Sequence, residues 1–384
     1  MAVILKKIID ENSLTKEISE IFKELNFNPA GKIFIKPNLG AREPIQRGEN
    51  TSVEFMKALI EVLQPSVEEI IIGHSSLLGT ADRKISYEKV IESSGYKQFE
   101  TYLKVKLLNL DNIERVKFEF DNFIFHLPKF LVEKKVDYYI NVGALKTHME
   151  TSISFSIKNQ MGLLIGGERR ALHHSGQLEK GIAYIGKFIK PDFNFIDSIW
   201  GMEGNGPHEG KSKKFDLIFA GKDMVELDSF AAGVVGLDYK KIEQIIVAKQ
   251  IGVGNFVLPG IVEKYIKENI EFRPAKKFIK IGRKIYVWPT DACSMCITSV
   301  KEGGKLYTKK LLGVLNFSRK ALFNKEDIHI VIGNGNNLDL RGKGKIIAVG
   351  QCPRKFAQRH GVDNLDKCPP TAEETFRYLK EKLK

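Results

Sequence analysis

The chain predicts an α/β fold: a mostly parallel sheet with helices on both faces, plus a smaller C-terminal α/β domain carrying four cysteines. Three observations lead there. Over roughly the first 270 residues, short β-branched runs alternate with longer amphipathic stretches, the pattern of βαβ units. Formal charge breaks near residue 272: Arg273 to Lys384 holds 24 Lys and Arg against 10 Asp and Glu, leaving 36 against 37 for Met1 to Phe272. All four cysteines, Cys293, Cys296, Cys352 and Cys368, lie beyond that break. The predicted domains are 1–272 and 273–384.

Each element rests on local pattern. Strands are predicted where β-branched and aromatic residues cluster: Lys32 to Lys36, Glu69 to Gly73, Val105 to Leu110, Asp137 to Val142, Phe193 to Ile196 and Phe215 to Ala220. Helices are predicted between them: Val53 to Leu63, Ser86 to Ser93, Phe130 to Lys134, Leu178 to Phe188, and Val225 to Val235 followed by Tyr239 to Lys249. Glu114 to Leu127 alternates apolar and polar residues about Asp121-Asn122, as a hairpin laid on the sheet would. In the C-terminal domain Lys284 to Trp288 reads as a strand leading into Cys293-Ser294-Met295-Cys296, and Lys309 to Leu315 as a helix. Strands Ile328 to Ile332 and Lys345 to Val349 flank a Gly333-Asn334-Gly335-Asn336-Asn337 turn, and Ala372 to Lys382 is a last helix. There is no internal repeat or low-complexity linker, so the two parts are expected to pack together.

Composition excludes several classes. With 384 residues, 43% hydrophobic and 28% charged, 33 glycines and 13 prolines, the chain is neither disordered, collagen-like nor a disulfide-stapled miniprotein. No apolar run approaches the ~18 residues of a membrane span, and Met-Ala-Val-Ile-Leu-Lys-Lys is too short for a signal-peptide core. A cytoplasmic protein is expected, in which cysteines bind metal more readily than they form bridges. The basic C-terminal domain points to an acidic counterpart: a protein, a nucleic acid or an anionic cofactor. A solvated lysine-rich surface is the alternative. No aromatic-interleaved basic patch or recognised motif favours nucleic acid.

Polar residues collect after the predicted strands: Lys36-Pro37-Asn38, His74-Ser75-Ser76, Lys146-Thr147-His148, Asp197 then Glu203, and Lys222-Asp223. In an open parallel sheet these positions converge on one edge, where ligands bind. Lys36, Lys146 and Lys158 suit a small anion such as a carboxylate or phosphate, Asn38 and Asn159 could orient it, and His148 or Glu203 could move a proton. Gly201 to Glu209 reads as a glycine-rich loop but matches no phosphate-cradle spacing. Asp197 and Glu203 better suit a divalent cation or a general base.

Ile35-Lys36-Pro37-Asn38, Lys146-Thr147-His148, Ser156-Ile157-Lys158-Asn159-Gln160-Met161-Gly162, and Asp197 with Met202-Glu203-Gly204-Asn205-Gly206-Pro207 resemble the domain of unknown function 362 family over about residues 30 to 235. That family has no assigned activity. Its members are often fused to ferredoxin-like iron-sulfur modules, so the resemblance implies a redox role. Such modules carry a compact C-x2-C-x2-C-x3-C run, which this chain lacks.

Here Cys293-x2-Cys296 is followed by 55 residues to Cys352 and 15 more to Cys368. A C-x2-C pair supplies half of many tetrathiolate sites, and Cys-Pro recurs at Cys352 and Cys368 as at the end of bacterial ferredoxin runs. A [4Fe-4S] cluster on all four is the leading expectation. Structural zinc and redox-active thiols are the alternatives. A basic surround fits a negatively charged cluster, and equally an acidic electron-transfer protein that docks on it. The expected function is thus an iron-sulfur protein that binds a small anionic ligand in an α/β crevice and transfers electrons, with oxidoreductase as its class if it is an enzyme. The rival is a non-redox, metal-dependent lyase, isomerase or hydrolase with a structural metal.

Overall fold

The computed structural model describes residues 3–9, 13–40, 47–80, 83–121, 123–207, 209–266, 270–276, 278–281, 283–290, 292, 294–309, 326–336 and 338–383. The chain forms two compact units. One comprises Met1–Leu77, Ile85–Leu172 and Gln177–Ala275; the other Leu78–Lys84, His173–Gly176 and Lys276–Lys384.

The first unit is built on strands β1 (Val3–Lys7), β2 (Gly31–Pro37), β3 (Val67–His74), β6 (Val105–Asn109), β9 (Tyr138–His148), β11 (Phe193–Asn205) and β12 (Glu209–Gly221). Their order in the sheet is β1-β12-β11-β9-β2-β3-β6, with the short β10 (Ser152–Ile153) paired to β9. The contacts β11-β9, β9-β2, β2-β3 and β3-β6 are parallel, while β1-β12 and β11-β12 are antiparallel. The sheet is mostly parallel, as the alternating pattern predicts. A short pair, β4 (Leu77–Thr80) and β5 (Arg83–Ile85), and a hairpin, β7 (Arg115–Phe120) and β8 (Phe123–Pro128), complete the strands up to residue 275. The hairpin pairs Phe120 with Phe123, with Asp121 at a φ of 55°; Asn122 of the predicted turn lies outside the described residues.

Helices cover both faces. On one, α1 (Leu14–Glu24), α2 (Val53–Leu63) and α3 (Tyr87–Ser93) pack with Ile33 and Ile35 of β2 and Ile140 and Val142 of β9. On the other, α7 (Leu178–Phe188), α8 (Met224–Val234) and α9 (Glu243–Gln250) pack with Phe34, Tyr139, Leu145 and the hairpin's Phe123, Phe125 and Leu127. Alternate residues of one strand thus enter different cores, which is why these strands read as unbroken apolar runs. Ser52 starts α2 where predicted, its Oγ accepting the Phe55 N–H at 3.2 Å. Shorter helices α4 (Lys129–Val132), α5 (Ser156–Asn159), α6 (Gly166–His174) and α10 (Pro259–Ile266) complete the set.

The main departures from expectation concern strand length. β9 runs on to His148 rather than stopping near Val142, and β11 continues to Asn205. Most of the glycine-rich tract is therefore hairpin, with Glu203 opposite Lys211 and Gly204 opposite Gly210. The glycines serve close backbone approach: a Cβ on Gly201 would lie 2.8 Å from the Leu145 carbonyl oxygen, and one on Gly206 2.1 Å from that of Thr147. β1 and α1 were not expected, although Leu14, Ile18, Ile21 and Phe22 form an apolar stripe.

The second unit carries a five-stranded sheet in the order β13 (Ile279–Ile281), β14 (Ile285–Thr290), β15 (Ile328–Gly333), β16 (Lys345–Val349), β17 (Asn364–Leu365). Only β13-β14 is antiparallel. Helices α11 (Ser294–Lys309), α12 (Arg354–His360) and α13 (Ala372–Lys382) accompany it, and α13 opens with a capping box between Thr371 and Glu374. The predicted helix Lys309 to Leu315 shares only Lys309 with α11; residues 310–315, like Asn337 of the predicted turn, lie outside the described residues. Among the described residues no helix is long and apolar enough to cross a membrane.

Candidate functional site

Parallel pairing of β9, β2 and β3 brings their C-terminal ends side by side. Lys36, one residue from the end of β2, projects to the same face as Phe34 and is 1% exposed. Its Nζ donates to the Pro37 carbonyl at 2.8 Å and, among the described residues, to no carboxylate. The neighbouring backbone is close: a Cβ on Gly162 would sit 2.7 Å from that nitrogen. Burial, helped by Arg169 and Lys146, lowers the Lys36 ammonium from 10.5 to about 7.

Two further buried groups border Lys36. His74 ends β3 and donates from Nδ1 to the Ser75 carbonyl at 2.6 Å. Burial, then Lys36 and Arg169, hold it well below its usual value, so it is neutral. Arg169 of α6 is 5% exposed; its Nη2 donates to the Ser76 carbonyl at 2.7 Å, and its buried Nε has no hydrogen-bond partner among the described residues. Burial lowers the guanidinium to about 10, against the attraction of Asp111. Asp111 is held in turn by the Ser76 N–H at 2.7 Å.

Lys146 leaves β9 on the opposite side, with the parity of Val142. Because β9 outruns β2, its ammonium reaches past the strand end to Asn38 Oδ1 at 2.8 Å and the Glu49 carbonyl at 2.7 Å. Burial lowers it to about 8, opposed by Glu49 and reinforced by Lys158. Thr51 closes this corner: its Oγ1 accepts the Asn38 N–H and donates to the Val142 carbonyl, both at 2.9 Å.

Asn159 joins the two sides. Its Nδ2 lies 3.1 Å from the Lys36 carbonyl and 2.8 Å from Asn141 Oδ1, and Asn141 Nδ2 donates to Asn194 Oδ1 at 3.0 Å. Asp228 of α8 fixes the short helix that carries Asn159, its carboxylate accepting the Ser156 and Ile157 N–H groups at 2.8 and 2.9 Å. Burial raises Asp228 to about 7.

The structure divides the predicted set. Lys36 and Asn159 meet on one side of the sheet edge, and Lys146 and Asn38 on the other. Lys158 is half-buried, lowered by burial and opposed by the charges of Glu150 and Glu179. His148 turns its Nδ1 to the Glu150 and Thr151 N–H groups at 3.2 and 3.3 Å, an acceptor role in a turn. Glu203 accepts the Arg273 N–H at 3.1 Å and lies 3.9 Å from Lys213 Nζ. Asp197 accepts the Ser52 N–H at 2.7 Å and the Ile199 N–H at 3.1 Å, one on each oxygen. Asp197 and Glu203 therefore anchor backbone instead of opening toward a shared cation, and burial raises Asp197 to about 6. A single crevice holding all five of Lys36, Lys146, His148, Lys158 and Glu203 does not form, because alternation and strand length direct them differently. Arg169, Asn141 and Asp228 were absent from the predicted set. Of these, Arg169, which with Arg170 follows the Gly166-Gly167 pair, and Asp228, a charge within an apolar helix, leave a trace in the sequence.

In the second unit Cys296 is buried in the first turn of α11, and Cys352 and Cys368 are half-buried. Gly350 follows β16 with a φ of 108°, and a Cβ there would lie 3.5 Å from Cys296 Sγ, 3.8 Å from Pro353 Cδ and 4.0 Å from the Lys367 carbonyl. Pro353, next to Cys352, and the Lys367 carbonyl, next to Cys368, thus lie around the same position as the Cys296 sulfur. Cys293 lies outside the described residues. Among the described residues no three His, Cys, Asp or Glu are grouped to hold a metal ion.

A family model described as a domain of unknown function matches residues 33–233, which spans β2 to α8 and every residue of the sheet-edge site. The chain is also similar to the thylakoid-associated protein sll1697 of Synechocystis sp., with 25% identity over 231 residues, 59% of this chain and 69% of that protein. No solved structure matches it significantly.

Proposed function

The chain belongs to the domain of unknown function 362 family, and on that premise we propose that it binds a small anion at the sheet edge and carries a [4Fe-4S] cluster for electron transfer. One observation carries the anion site: a lysine 1% exposed, with a single carbonyl partner and two cationic neighbours among the described residues. An uncompensated ammonium at that depth is costly, and a carboxylate or phosphate is the group that relieves it. Lys36 and Arg169 hold the anion and Asn159 orients it, while Lys146 with Asn38, and Lys158, lend positive charge from the opposite side. Lys36 takes the proton-exchanging role expected of His148 or Glu203, because both of those are engaged in backbone contacts.

Cys293, Cys296, Cys352 and Cys368 are the residues that would hold the cluster, and a cluster there would accept and release one electron at a time. Convergence on Gly350 supports this reading, and the basic sequence around it suits an acidic electron-transfer protein as partner. The cytoplasm, where thiols stay reduced, is the compartment we assign. Zinc on the same thiolates, with a non-redox lyase, isomerase or hydrolase activity, is the second reading; a buried amine near neutrality favours proton transfer.

Titration calorimetry with inorganic phosphate and with pyruvate tests the anion site. Binding by the native protein and none by Lys36→Met is expected, and equal binding by both overturns it. The visible spectrum of anaerobically purified protein tests the centre. A broad band bleached by dithionite is expected, and a colourless, zinc-loaded protein refutes the cluster.

A further inference from the structure

We propose that the sheet of the second unit binds single-stranded nucleic acid, with bases stacked on Phe278, Tyr286 and Trp288 and phosphates held by the basic residues around them. Neither the anion site nor the cluster enters this inference. The two faces of the sheet differ in chemistry. Ile285 and Val287 of β14 and Ile328, Ile330 and Ile332 of β15 share an apolar core with Val300 of α11 and Leu379 of α13. Side chains of the other parity, Tyr286 and Trp288 of β14 and His329 of β15, leave from the opposite face. Antiparallel pairing sets Lys280 of β13 on one side of Tyr286, and parallel pairing sets His329 on the other. Strand pairing thus assembles an aromatic and basic patch that linear spacing did not suggest.

His329 fixes the rings. It stacks on Tyr286 with centroids 5.1 Å apart and planes 16° apart; its Nδ1 accepts the Trp288 Nε1–H at 3.0 Å, and its Nε2 donates to the Lys343 carbonyl at 3.0 Å. The Phe278 centroid lies 4.8 Å from that of Trp288 and 5.5 Å from that of Tyr286. Phe278, Tyr286 and Trp288 are half-buried, so each is held in place yet keeps some ring surface at the solvent. Lys280 Nζ sits 5.3 Å over the Tyr286 ring; being exposed, it is free to swing to a phosphate as a base takes its place. Arg283, Lys343 and Lys345 are exposed too. The described carboxylates within residues 276–290 and 326–349 are Glu326, Asp327 and Asp339, the last two paired with Lys284 at 3.2 Å and Arg341 at 2.6 Å. Rings interleaved with cations match a polymer in which a planar base and a phosphate recur. An acidic protein offers the charge without the planes, and a duplex hides its base faces.

The test uses the full chain in a Trp200→Phe background, where Trp288 is the sole tryptophan. Fluorescence anisotropy of labelled oligothymidylate measures binding, and tryptophan emission reports stacking. Binding that weakens as salt rises, with quenched emission, is expected. Phe278→Ala and Lys280→Glu should each weaken it roughly tenfold. The exposed Lys280 position keeps the test valid if Phe278→Ala fails to fold. Unchanged affinity in either folded variant overturns the proposal. So does polyglutamate or duplex DNA bound as tightly as the single strand without quenching; the polyglutamate result assigns the surface to an acidic protein.

Discussion

Replacing Lys36 with methionine should make the ligand-free protein more stable, with a pH dependence set by the buried amine. In the unfolded chain the amine has its ordinary value of 10.5, and in the folded protein about 7. Above pH 10.5 the lysine is neutral in both states and contributes nothing. As pH falls toward 7 the unfolded chain binds the proton first, so folding is progressively penalised. Below about 7 both states are charged and the penalty is complete. The shift of roughly 3.5 units corresponds to an upper bound of about 5 kcal/mol, comparable to the whole stability of many domains. Methionine matches the lysine stem in length and needs no counter-charge. Urea unfolding in anion-free buffer, from about pH 6 to about pH 10, measures the difference. The expected gap favours Lys36→Met by several kcal/mol at the acid end and shrinks toward the alkaline end. Saturating phosphate should narrow the gap, since only the native protein gains from binding. A variant less stable than the native protein at every pH, or a gap that ignores pH, would refute the reasoning.

Other substitutions probe the supports of the site and the second unit. Asp228→Asn keeps one acceptor for the Ser156 and Ile157 amides and loses the other, so thermal unfolding should show a loss of about 1–3 kcal/mol together with weaker phosphate binding. Gly206→Ala drives a Cβ to 2.1 Å from the Thr147 carbonyl oxygen; soluble yield and melting temperature should both fall, and unchanged values would contradict the described pairing. Cys296→Ser should lower bound iron and the visible band of anaerobic protein, while urea unfolding followed by fluorescence still shows a transition for the first unit. Iron content equal to the native protein would remove Cys296 from the centre.

Local pattern determined much of the fold by itself. The ends of α2 and α7, the pairing of Phe120 with Phe123, and the strand at Lys345–Val349 coincide with the periodicity read from the residues, because apolar spacing and turn chemistry act within a few positions. The lysines and asparagines at the ends of β2 and β9 were visible for the same reason: strand ends in a parallel sheet share an edge. Tertiary structure decided how far β9 and β11 run, since residues 201–205 extend only because a partner strand pairs with them. That extension sends Lys146 past the end of β2 and turns His148 and Glu203 into backbone anchors. It was also tertiary packing that set Arg169, some 130 residues along the chain, near Lys36, and closed Gly162 over the amine. A sequence names the charge; whether it ends in water, on a carboxylate or alone in the interior depends on neighbours brought together only by folding.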